Sequence, residues 1–410
     1  MNRTTCLVAG GGPAGMFLGL MLARAGVDVT VLEKHGDFLR DFRGDTVHPT
    51  TLELIDALGL REDFVKLPQR RLNDVQIPIG GRMVPLATFT RIPGRHKYLA
   101  MVPQWDLLDL LARAGDIEPA FRLRMNTEVT GLVHEGDRVA GVRYRTKAGD
   151  QDEIRADLTV ACDGRGSILR AAAGLAVRDW ATPFDVWWFR IPRHGTDPAG
   201  LIPVVSGDRV AILFDRGDYW QSATLVAKGS DPHTRASQPV GVIMRELAEV
   251  VPWLADRVDA LHGWDEVKLL DVKLDRLDRW YTDGLLCLGD AAHAMSPVGG
   301  VGINLAVQDA VAAARILGPK LLSRTVTTAD LARVQRRRLL PTAIIQGLQR
   351  AAHARVVRPA VAGRLTVSNA SETPLALRIF RHLPVLRSLP TFLVARGVIP
   401  ERVPDFARRA

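Results

Sequence analysis

The fold is decided near the start of the chain, where residues 4–33 read TTCLVAGGGPAGMFLGLMLARAGVDVTVLE. The short apolar run before the glycines predicts a strand, and the apolar residues after Pro13 have the spacing of a helix. Gly26 is placed to end that helix, because glycine readily adopts the conformation that follows a last helical turn. Alternating valines then predict a second strand. The stretch therefore predicts a strand–helix–strand unit with a glycine-rich turn after its first strand.

That turn has the spacing GxGxxG, with Gly10, Gly12 and Gly15 at its three glycine positions. Glycines let the backbone approach a pyrophosphate closely, and the helix that follows offers free N–H groups to the anion. Glu33 ends the second strand, where a carboxylate accepts hydrogen bonds from a ribose hydroxyl. The residues predicted to bind a nucleotide here are Gly10, Gly12, Pro13, Ala14, Gly15, Glu33 and Lys34.

Composition narrows the class of protein. The 410 residues are 47% hydrophobic and 24% charged, enough for a large core in one domain or in two interleaved domains. The net charge of +9 attracts phosphate-bearing cofactors and acidic substrates, or reflects a basic, arginine-rich proteome; no motif that reads DNA or RNA accompanies it. No apolar run approaches the ~18 residues that span a bilayer, and the N-terminal residues do not resemble a signal peptide. We expect a cytoplasmic protein without nucleic-acid binding or stable membrane insertion.

Cys6, Cys162 and Cys287 are the cysteines of the chain, and none belongs to a CxxC pair. An odd number without such a pair argues against a disulfide framework and against a metal site. We predict that they are small buried strand residues.

Two later segments resemble strand ends that carry a carboxylate. Residues 157–167 read DLTVACDGRGS and residues 285–293 read LLCLGDAAH. A carboxylate at the carboxyl end of a parallel strand faces the cofactor crevice, where Asp290 is placed to bind the hydroxyls of a ribityl chain. The turn 297–302, PVGGVG, precedes a helix, and its N–H groups are placed to stabilise negative charge on a flavin ring. Taken singly, each segment is equally compatible with a buried strand end and a polar turn.

Together and in this order, the three segments resemble the group A flavin monooxygenases, the para-hydroxybenzoate hydroxylase-like superfamily. Their dinucleotide fingerprint, Asp163-Gly164 and Gly289-Asp290 match across roughly residues 4–315. The resemblance implies an α/β fold in which a Rossmann-like FAD-binding domain is interwoven with an antiparallel-sheet substrate domain, followed by a helical C-terminus. The implied divisions are 1–72, 103–178 and 275–354 for FAD, 73–102 and 179–274 for substrate, and 355–410 for the C-terminal segment.

The resemblance also implies noncovalent FAD, with NADH or NADPH docking transiently as the reductant. Hydride transfer to the flavin, oxygen addition at its C4a atom and transfer of the terminal hydroperoxide oxygen would then hydroxylate an aromatic or polycyclic substrate, with O2 as co-substrate. Further cofactor contacts are implied for Arg43, Gln104, Asp163, Asp290, Pro297, Gly300, Gly302 and Asn304. The catalytic candidates are Arg43, Pro297 and His48, although a histidine before a proline more often caps a turn.

Residues 180–228 are aromatic and β-branched and predict an antiparallel sheet. Trp187, Phe189 and Phe214 are candidates for lining an aromatic substrate pocket. Strand alternation puts Trp187 and Phe189 on one face and Trp188 on the other. A plain sheet core is an equal alternative for these aromatic residues.

Three alternative functions stay open. Trp187-x-Phe189-x-Ile191-Pro192 is distantly similar to a Trp-x-Trp-x-Ile-Pro signature of flavin-dependent halogenases, with phenylalanine at the second tryptophan. A reductase of isoprenoid double bonds would consume reductant but not oxygen, and a flavin-binding sensor would show no turnover. A homodimer is compatible with the sequence, which does not determine the oligomeric state.

Helices are further predicted for 49–60, 104–114 and 241–261, and from Asn304 onward with breaks at three prolines. The three are Pro341, Pro359 and Pro374. The apolar stretch 385–398 is predicted to pack on the protein's own core rather than on a membrane surface.

Overall fold

The computed structural model describes residues 2–39, 46–79, 82–364, 392–393 and 395–409, without the side chains of 75–86. Arg43, Pro374 and most of the apolar stretch 385–398 lie outside the described residues. The predictions made for them are therefore not addressed by the structure.

The described chain alternates strands and helices in its first third and is largely helical after residue 302. The strands are β1 Arg3–Ala9, β2 Val29–Leu32, β3 Thr46–Val47, β4 Arg70–Leu72, β5 Asp74–Ile79, β6 Arg82–Thr88, β7 Leu99–Met101, β8 Phe121–Arg124, β9 Thr127–Glu135, β10 Arg138–Thr146, β11 Gln151–Ala161, β12 Val177–Asp179, β13 Phe184–Pro192, β14 Leu201–Ser206, β15 Arg209–Asp215, β16 Tyr219–Ala227, β17 Lys268–Leu270, β18 Asp275–Leu277, β19 Tyr281–Thr282 and β20 Leu285–Cys287. The helices are α1 Pro13–Arg24, α2 Pro49–Ala57, α3 Arg61–Lys66, α4 Gln104–Asp116, α5 Ile168–Ala172, α6 Asp231–Ser237, α7 Gly241–Val250, α8 Gly302–Leu322, α9 Thr328–Ala352 and α10 Arg358–Val361.

The first sheet has the order β19-β20-β11-β1-β2-β8, and the β9–β10 hairpin extends from β11. Strands β20, β11, β1, β2 and β8 are parallel to one another. In the register, Ala9 lies beside Ala161, and Ala161 lies beside Cys287. The carboxyl ends of these strands therefore meet at one edge of the sheet, as the sequence predicted for a Rossmann-like unit.

Helix α1 is buried along almost its whole length because it packs against both α8 and α4. A side chain at Gly19 would lie 2.8 Å from the Phe121 ring and 2.9 Å from Val31, so the close helix–sheet approach requires a glycine there. The predicted strand–helix–strand unit at residues 4–33 is confirmed.

The second sheet is antiparallel, with the order β14-β15-β16-β13-β17. We call its two sides the outer face, which packs against α7, and the inner face, which packs against Val298 of the loop before α8. Segments of the first sheet precede and follow it in the chain, so the interleaving of the two sheets is confirmed.

Three details of the helix prediction were wrong. Pro341 does not end a helix but lies buried within α9, because packing along this long helix outweighs one missing backbone hydrogen bond. The helix predicted over 241–261 ends at Val250, and a 3₁₀ turn follows at Pro252–Arg257. Pro359 likewise does not end a helix, because α10 follows directly after the π-helical turn His353–Val357 that continues α9. Among the helices described, none has both the length and the apolarity needed to cross a bilayer.

Candidate active site

The three motif-bearing strand ends meet at one corner of the first sheet. A backbone hydrogen bond of 2.8 Å joins the Cys162 N–H to the Ala9 carbonyl, directly before Asp163. Gly289 has a φ of +57°, and a Cβ built on it would lie 3.4 Å from the Cβ of Ala14. The Gly289–Asp290 corner therefore lies against the start of α1, which is the arrangement that a single shared cofactor requires.

The glycines of the turn have different structural reasons. Gly10 has a φ of +108°, and a Cβ there would lie 2.3 Å from the Cys162 carbonyl oxygen. A Cβ on Gly15 would lie 2.0 Å from the Gly10 oxygen. Gly12 instead has no atom of the described residues within 4 Å of its Cβ position, and it precedes α1 without a side-chain cap. Gly12 therefore leaves open space at a helix N-terminus, which fits a pyrophosphate.

Glu33 is buried and holds the glycine turn directly. Its Oε2 accepts a hydrogen bond of 2.9 Å from the Gly11 N–H, and its Oε1 accepts one of 3.0 Å from the His35 N–H. A carboxylate oxygen can accept more than one hydrogen bond, so contact with a ribose hydroxyl is compatible with this role. Lys34 is exposed beside it. The sequence pattern indicated the ribose contact but not the contact with the turn.

Asp163 has an oxygen that the described protein leaves without a partner. Its Oδ2 accepts a hydrogen bond of 3.3 Å from the Leu169 N–H, whereas its buried Oδ1 has none among the described residues. Burial raises the pKa of Asp163, and hydrogen bonds from Ser167 and the backbone partly oppose that shift. A buried acceptor without a partner calls for an explanation, and a hydroxyl of a bound cofactor supplies one.

Asp290 lies at the same corner and is paired with Arg165. Nη2 of Arg165 donates to Oδ2 of Asp290 over 3.1 Å, and both side chains are about one quarter exposed. The pair thus connects the Asp163-Gly164 segment with the Gly289-Asp290 segment. Asp290 remains accessible enough to accept hydrogen bonds from a polyol chain.

Sequence reasoning missed a buried ion pair that supports this corner. The Arg170 guanidinium donates to both carboxylate oxygens of Asp275, over 3.2 and 3.0 Å. Arg170 also donates to the Arg165 carbonyl over 2.8 Å. A basic residue within a short helix could be seen in the sequence, but its partner lies 105 positions away in strand β18.

Thr46 of strand β3 and His48, which follows that strand, hold the loop 296–301, which we call the Pro297 loop. Thr46 Oγ1 donates to the Gly300 carbonyl over 3.0 Å, and the His48 Nε2 lies 2.8 Å from the same oxygen. A carbonyl only accepts, so this ring nitrogen carries the proton. His48 precedes α2 without a side-chain cap to that helix, and its ring instead bonds the turn at Gly300. The structure shows a positioning contact, and a catalytic role for His48 stays a prediction.

One predicted role of the loop needs correction. The Gly300 N–H donates to the Pro297 carbonyl over 3.0 Å and closes the turn, so it does not point outward as expected. Pro297 itself is half-buried, and Gly302 begins α8. Asn304 Oδ1 accepts hydrogen bonds from Thr50 and Thr51, which tie α8 to α2. The half-buried Gln104 begins α4.

Two of the three predicted substrate residues belong to the core. Trp187 and Phe189 lie on the outer face and are buried against α7, and the Trp187 Nε1 donates to Asp231 over 2.6 Å. They belong to the sheet core, which is the alternative that the sequence left equally open. Phe214 and Trp188 do lie on the inner face, with ring centroids 6.0 Å apart and planes 24° apart. Alternation predicted the two faces correctly, but it did not predict which of them packs against the loop 296–301.

The cysteines contribute packing to this region. Cys6 and Cys287 are buried in the first sheet, Cys162 follows β11, and all three are free thiols. Burial raises the pKa of Cys6 to about 12 and that of Cys287 further. Thiolate chemistry is therefore suppressed at both strands.

The raised pKa of Asp163 makes a pH-dependent prediction. Because the folded protein disfavours its ionised form, stability associated with Asp163 falls as the pH rises through its raised pKa. Asp163→Asn removes that ionisation and keeps one carbonyl acceptor. We expect the variant apoprotein to be as stable as wild type in acid and more stable near neutral pH, measured by thermal unfolding between about pH 4 and 7. A variant that is less stable near neutral pH would contradict this assignment.

The fold and the site together are those of a protein that binds a dinucleotide cofactor, with a glycine turn placed for a pyrophosphate and carboxylates placed for sugar hydroxyls. Residues 3–345 match a family described as FAD binding domain. The chain is 34% identical to 6-methylpretetramide 4-monooxygenase of Streptomyces rimosus over 94% of its own length and 91% of that protein's. Three further relatives, at 26–30% identity, are longer, and the chain spans 61–63% of their length.

Solved structures agree with this fold. The anhydrotetracycline hydroxylase OxyS of Streptomyces rimosus has a TM-score of 0.75 at 24% identity, covering 98% of this chain and 77% of that one. The myxobacterial chondrochloren halogenase CndH has a TM-score of 0.72 at 19% identity, covering 100% and 99%. The chain belongs to the FAD-binding domain family and is an FAD-dependent monooxygenase. FAD is its cofactor, and NAD(P)H is the reductant typical of the family.

Proposed function

We propose that this monooxygenase hydroxylates a polycyclic aromatic small molecule on the inner face of its second sheet, using NAD(P)H and O2. The observation that carries the proposal is the aromatic wall formed by the stacked rings of Trp188 and Phe214, in the same apolar cluster as Val298 of the loop 296–301. Near-parallel aromatic side chains favour a planar, ring-fused substrate between sheet and loop. The relatives named for pretetramide and anhydrotetracycline support the same substrate class.

Hydrogen-bond donors accompany this wall. Gln221 lies opposite Phe214 in the register of β15 and β16 and is only 1% exposed. Its Oε1 accepts a hydrogen bond of 2.9 Å from the Arg216 Nε, and this bond fixes the orientation of the amide. Its Nε2 and the Trp188 Nε1 are buried and have no acceptor among the residues described. Two such donors support a substrate that presents phenol or carbonyl oxygens to the inner face.

Each part of the site has a task in this proposal. Gly12 and Asp290 hold the cofactor, and the loop around Pro297 borders the place where oxygen reacts. Bound FAD supplies electron transfer from NAD(P)H and activation of oxygen. Trp188 and Phe214 hold the substrate ring, and Gln221 orients it while the apolar cluster keeps water away. Arg43, Gln104 and Asn304 remain proposed cofactor contacts.

The experiment that tests the function starts from purified protein with its flavin spectrum. Tetracyclic and smaller phenolic compounds are screened for stimulation of NAD(P)H oxidation, and products are analysed after reaction under ¹⁸O₂. A ring-fused phenol that gains one labelled oxygen atom supports the proposal. Halide-dependent halogenated product would instead favour the halogenase alternative. Reduced product formed without oxygen would favour a reductase, and the absence of turnover would favour a sensor.

Adjacent tryptophans on opposite faces provide a matched pair of variants. Trp188→Leu removes the wall, and we expect a roughly fivefold higher KM, since one aromatic stack contributes about 1 kcal/mol. Trp187→Leu removes a core side chain and is expected to lower the free energy of unfolding by about 3 kcal/mol with little change in KM. Steady-state kinetics and urea unfolding of both variants check the pair. Equal effects on KM would exclude the inner face as the substrate site.

A cytoplasmic location also belongs to this proposal, and the free thiols of the described chain support it. A homodimer stays a prediction.

A further inference from the structure

The buried face of helix α9 carries a polar stripe beside apolar residues such as Val334 and Ile345, although a helix packed against a core normally buries an apolar stripe alone. The polar residues are spaced three or four positions apart, so they form one stripe along the helix. All of them are at most 9% exposed. The stripe consists of Gln335, Arg338, Thr342, Gln346, Gln349 and, in the π-helical turn that follows, His353.

The glutamines of this stripe bind the backbone of one segment, 275–298. Gln335 accepts from the Trp280 N–H over 3.0 Å and donates to the Asp278 carbonyl over 2.9 Å. Gln346 donates to the Asp275 carbonyl over 2.7 Å. The segment carries both the Gly289-Asp290 corner and the Pro297 loop. Helix α9 thus substitutes for a neighbouring strand along backbone that has few sheet partners.

Gln349 makes the most complete of these contacts, and it makes them around Pro297. Its Oε1 accepts a hydrogen bond of 3.2 Å from the Ser296 N–H. Its Nε2 donates 2.9 Å to the Ser296 carbonyl and 2.9 Å to the Val298 carbonyl. The amide therefore bonds to the residue on each side of Pro297. These three contacts define the orientation of the amide and hold the loop to the helix.

His353 adds a contact to the same loop from the next turn. Its Nε2 lies 2.8 Å from Ser296 Oγ. That oxygen in turn accepts a hydrogen bond of 3.3 Å from the Val298 N–H. The histidine belongs to a π-helical turn, His353–Val357, a feature often found at functional sites. Burial lowers the pKa of His353, so its ring is neutral at physiological pH. The Phe184 ring packs edge-on against it, with centroids 5.5 Å apart.

We propose that Gln349, assisted by His353, is a positioning residue that sets the placement of the Pro297 loop against the flavin. The inference rests on the proposed location of the flavin beside that loop. The loop's glycines contribute no side chains that could hold it, so its placement depends on partners from outside. A cofactor site tolerates only small displacements of the residues around the cofactor. Buried hydrogen bonds from a long helix make the Pro297 loop rigid enough for this.

The test uses two isosteric substitutions on the same helix face. Gln349→Glu keeps the acceptor for the Ser296 N–H but places a carboxylate against two carbonyl oxygens. Gln335→Glu makes the same change at the other end of the stripe, against the Asp278 carbonyl. Both variants are expected to lose similar thermal stability. FAD titration of the apoproteins by fluorescence, and the flavin reduction potential and absorption spectrum of the loaded proteins, separate the two roles.

We expect Gln349→Glu to bind FAD about tenfold more weakly, equivalent to about 1.4 kcal/mol, with a shifted potential and spectrum. Gln335→Glu should keep wild-type affinity within about twofold. Gln349→Met, which removes all three hydrogen bonds without adding charge, should reproduce the flavin effects in milder form. The inference is overturned if the Gln349 variants match Gln335→Glu in all flavin measurements, or if they fail to fold while Gln335→Glu folds. In either case a wild-type protein that hydroxylates its substrate leaves the proposed function intact.

Discussion

Replacing Gly12 with alanine is expected to weaken FAD binding by at least about a hundredfold, or about 2.7 kcal/mol, without unfolding the protein. Gly12 has φ −77° and ψ −177°, a conformation that alanine adopts readily. Its Cβ would meet no atom of the described protein within 4 Å. The methyl group would instead occupy the space at the N-terminus of α1 that is proposed for the pyrophosphate. Isothermal titration of the apoprotein with FAD measures the loss.

Two other glycines are controls for this prediction. Gly195→Ala also places a methyl group in open space, in the loop between β13 and β14, and is expected to change neither stability nor FAD binding. Gly15→Ala places its methyl group 2.0 Å from the Gly10 carbonyl oxygen and is expected to disrupt the turn itself. If Gly12→Ala binds FAD with wild-type affinity, the cofactor does not lie at this turn and the assignment of the site is wrong.

The largest loss of stability is expected for Asp309→Asn, about 3–5 kcal/mol, because the change removes the nearer of two carboxylates from the buried Arg338 guanidinium. Asp309 Oδ1 accepts a hydrogen bond of 2.9 Å from the Arg338 Nε, and its Oδ2 lies 2.6 Å from the His293 Nε2. All three side chains are at most 1% exposed. The Gly289 N–H also donates to Asp309 Oδ2 over 3.3 Å, so the substitution should loosen the Gly289–Asp290 corner as well.

The pH dependence of Asp309 adds a second measurement. Burial alone would raise the pKa of its carboxyl group, but the nearby His293 and Arg338 outweigh burial and lower it. Stability from ionised Asp309 is therefore present above its unfolded pKa and is lost as the pH falls through the lowered native value. Urea unfolding of wild type should show this acid-side loss, and Asp309→Asn should lack it.

Asp405→Asn is the matched control, because the Asp405 side chain is 99% exposed and, among the residues described, pairs only with Arg408 at 3.4 Å. It is expected to change the free energy of unfolding by less than about 0.5 kcal/mol. An Asp309→Asn variant as stable as this control would show that the buried network contributes little to the fold.

The sequence determined the local chemistry of the cofactor site. Gly10, Gly12 and Gly15 were recognisable because glycine is needed where the backbone turns tightly or leaves room for a phosphate. Asp163 and Asp290 were recognisable because each follows an apolar strand and precedes a polar turn. These signals depend on a few neighbouring residues, so they can be found without knowing the tertiary structure.

Only the tertiary structure decided which side of the second sheet packs against the Pro297 loop. Alternation separates Trp187 from Trp188, but both faces of β13 carry aromatic and apolar residues, so the pattern does not indicate which one lies beside α7. The polar stripe of α9 escaped prediction for a related reason. Gln349 is buried because its partners are backbone groups about fifty positions earlier in the chain, and backbone groups are the same in every residue. Such contacts leave no sequence pattern, because they depend on where the chain is folded rather than on which side chains it carries.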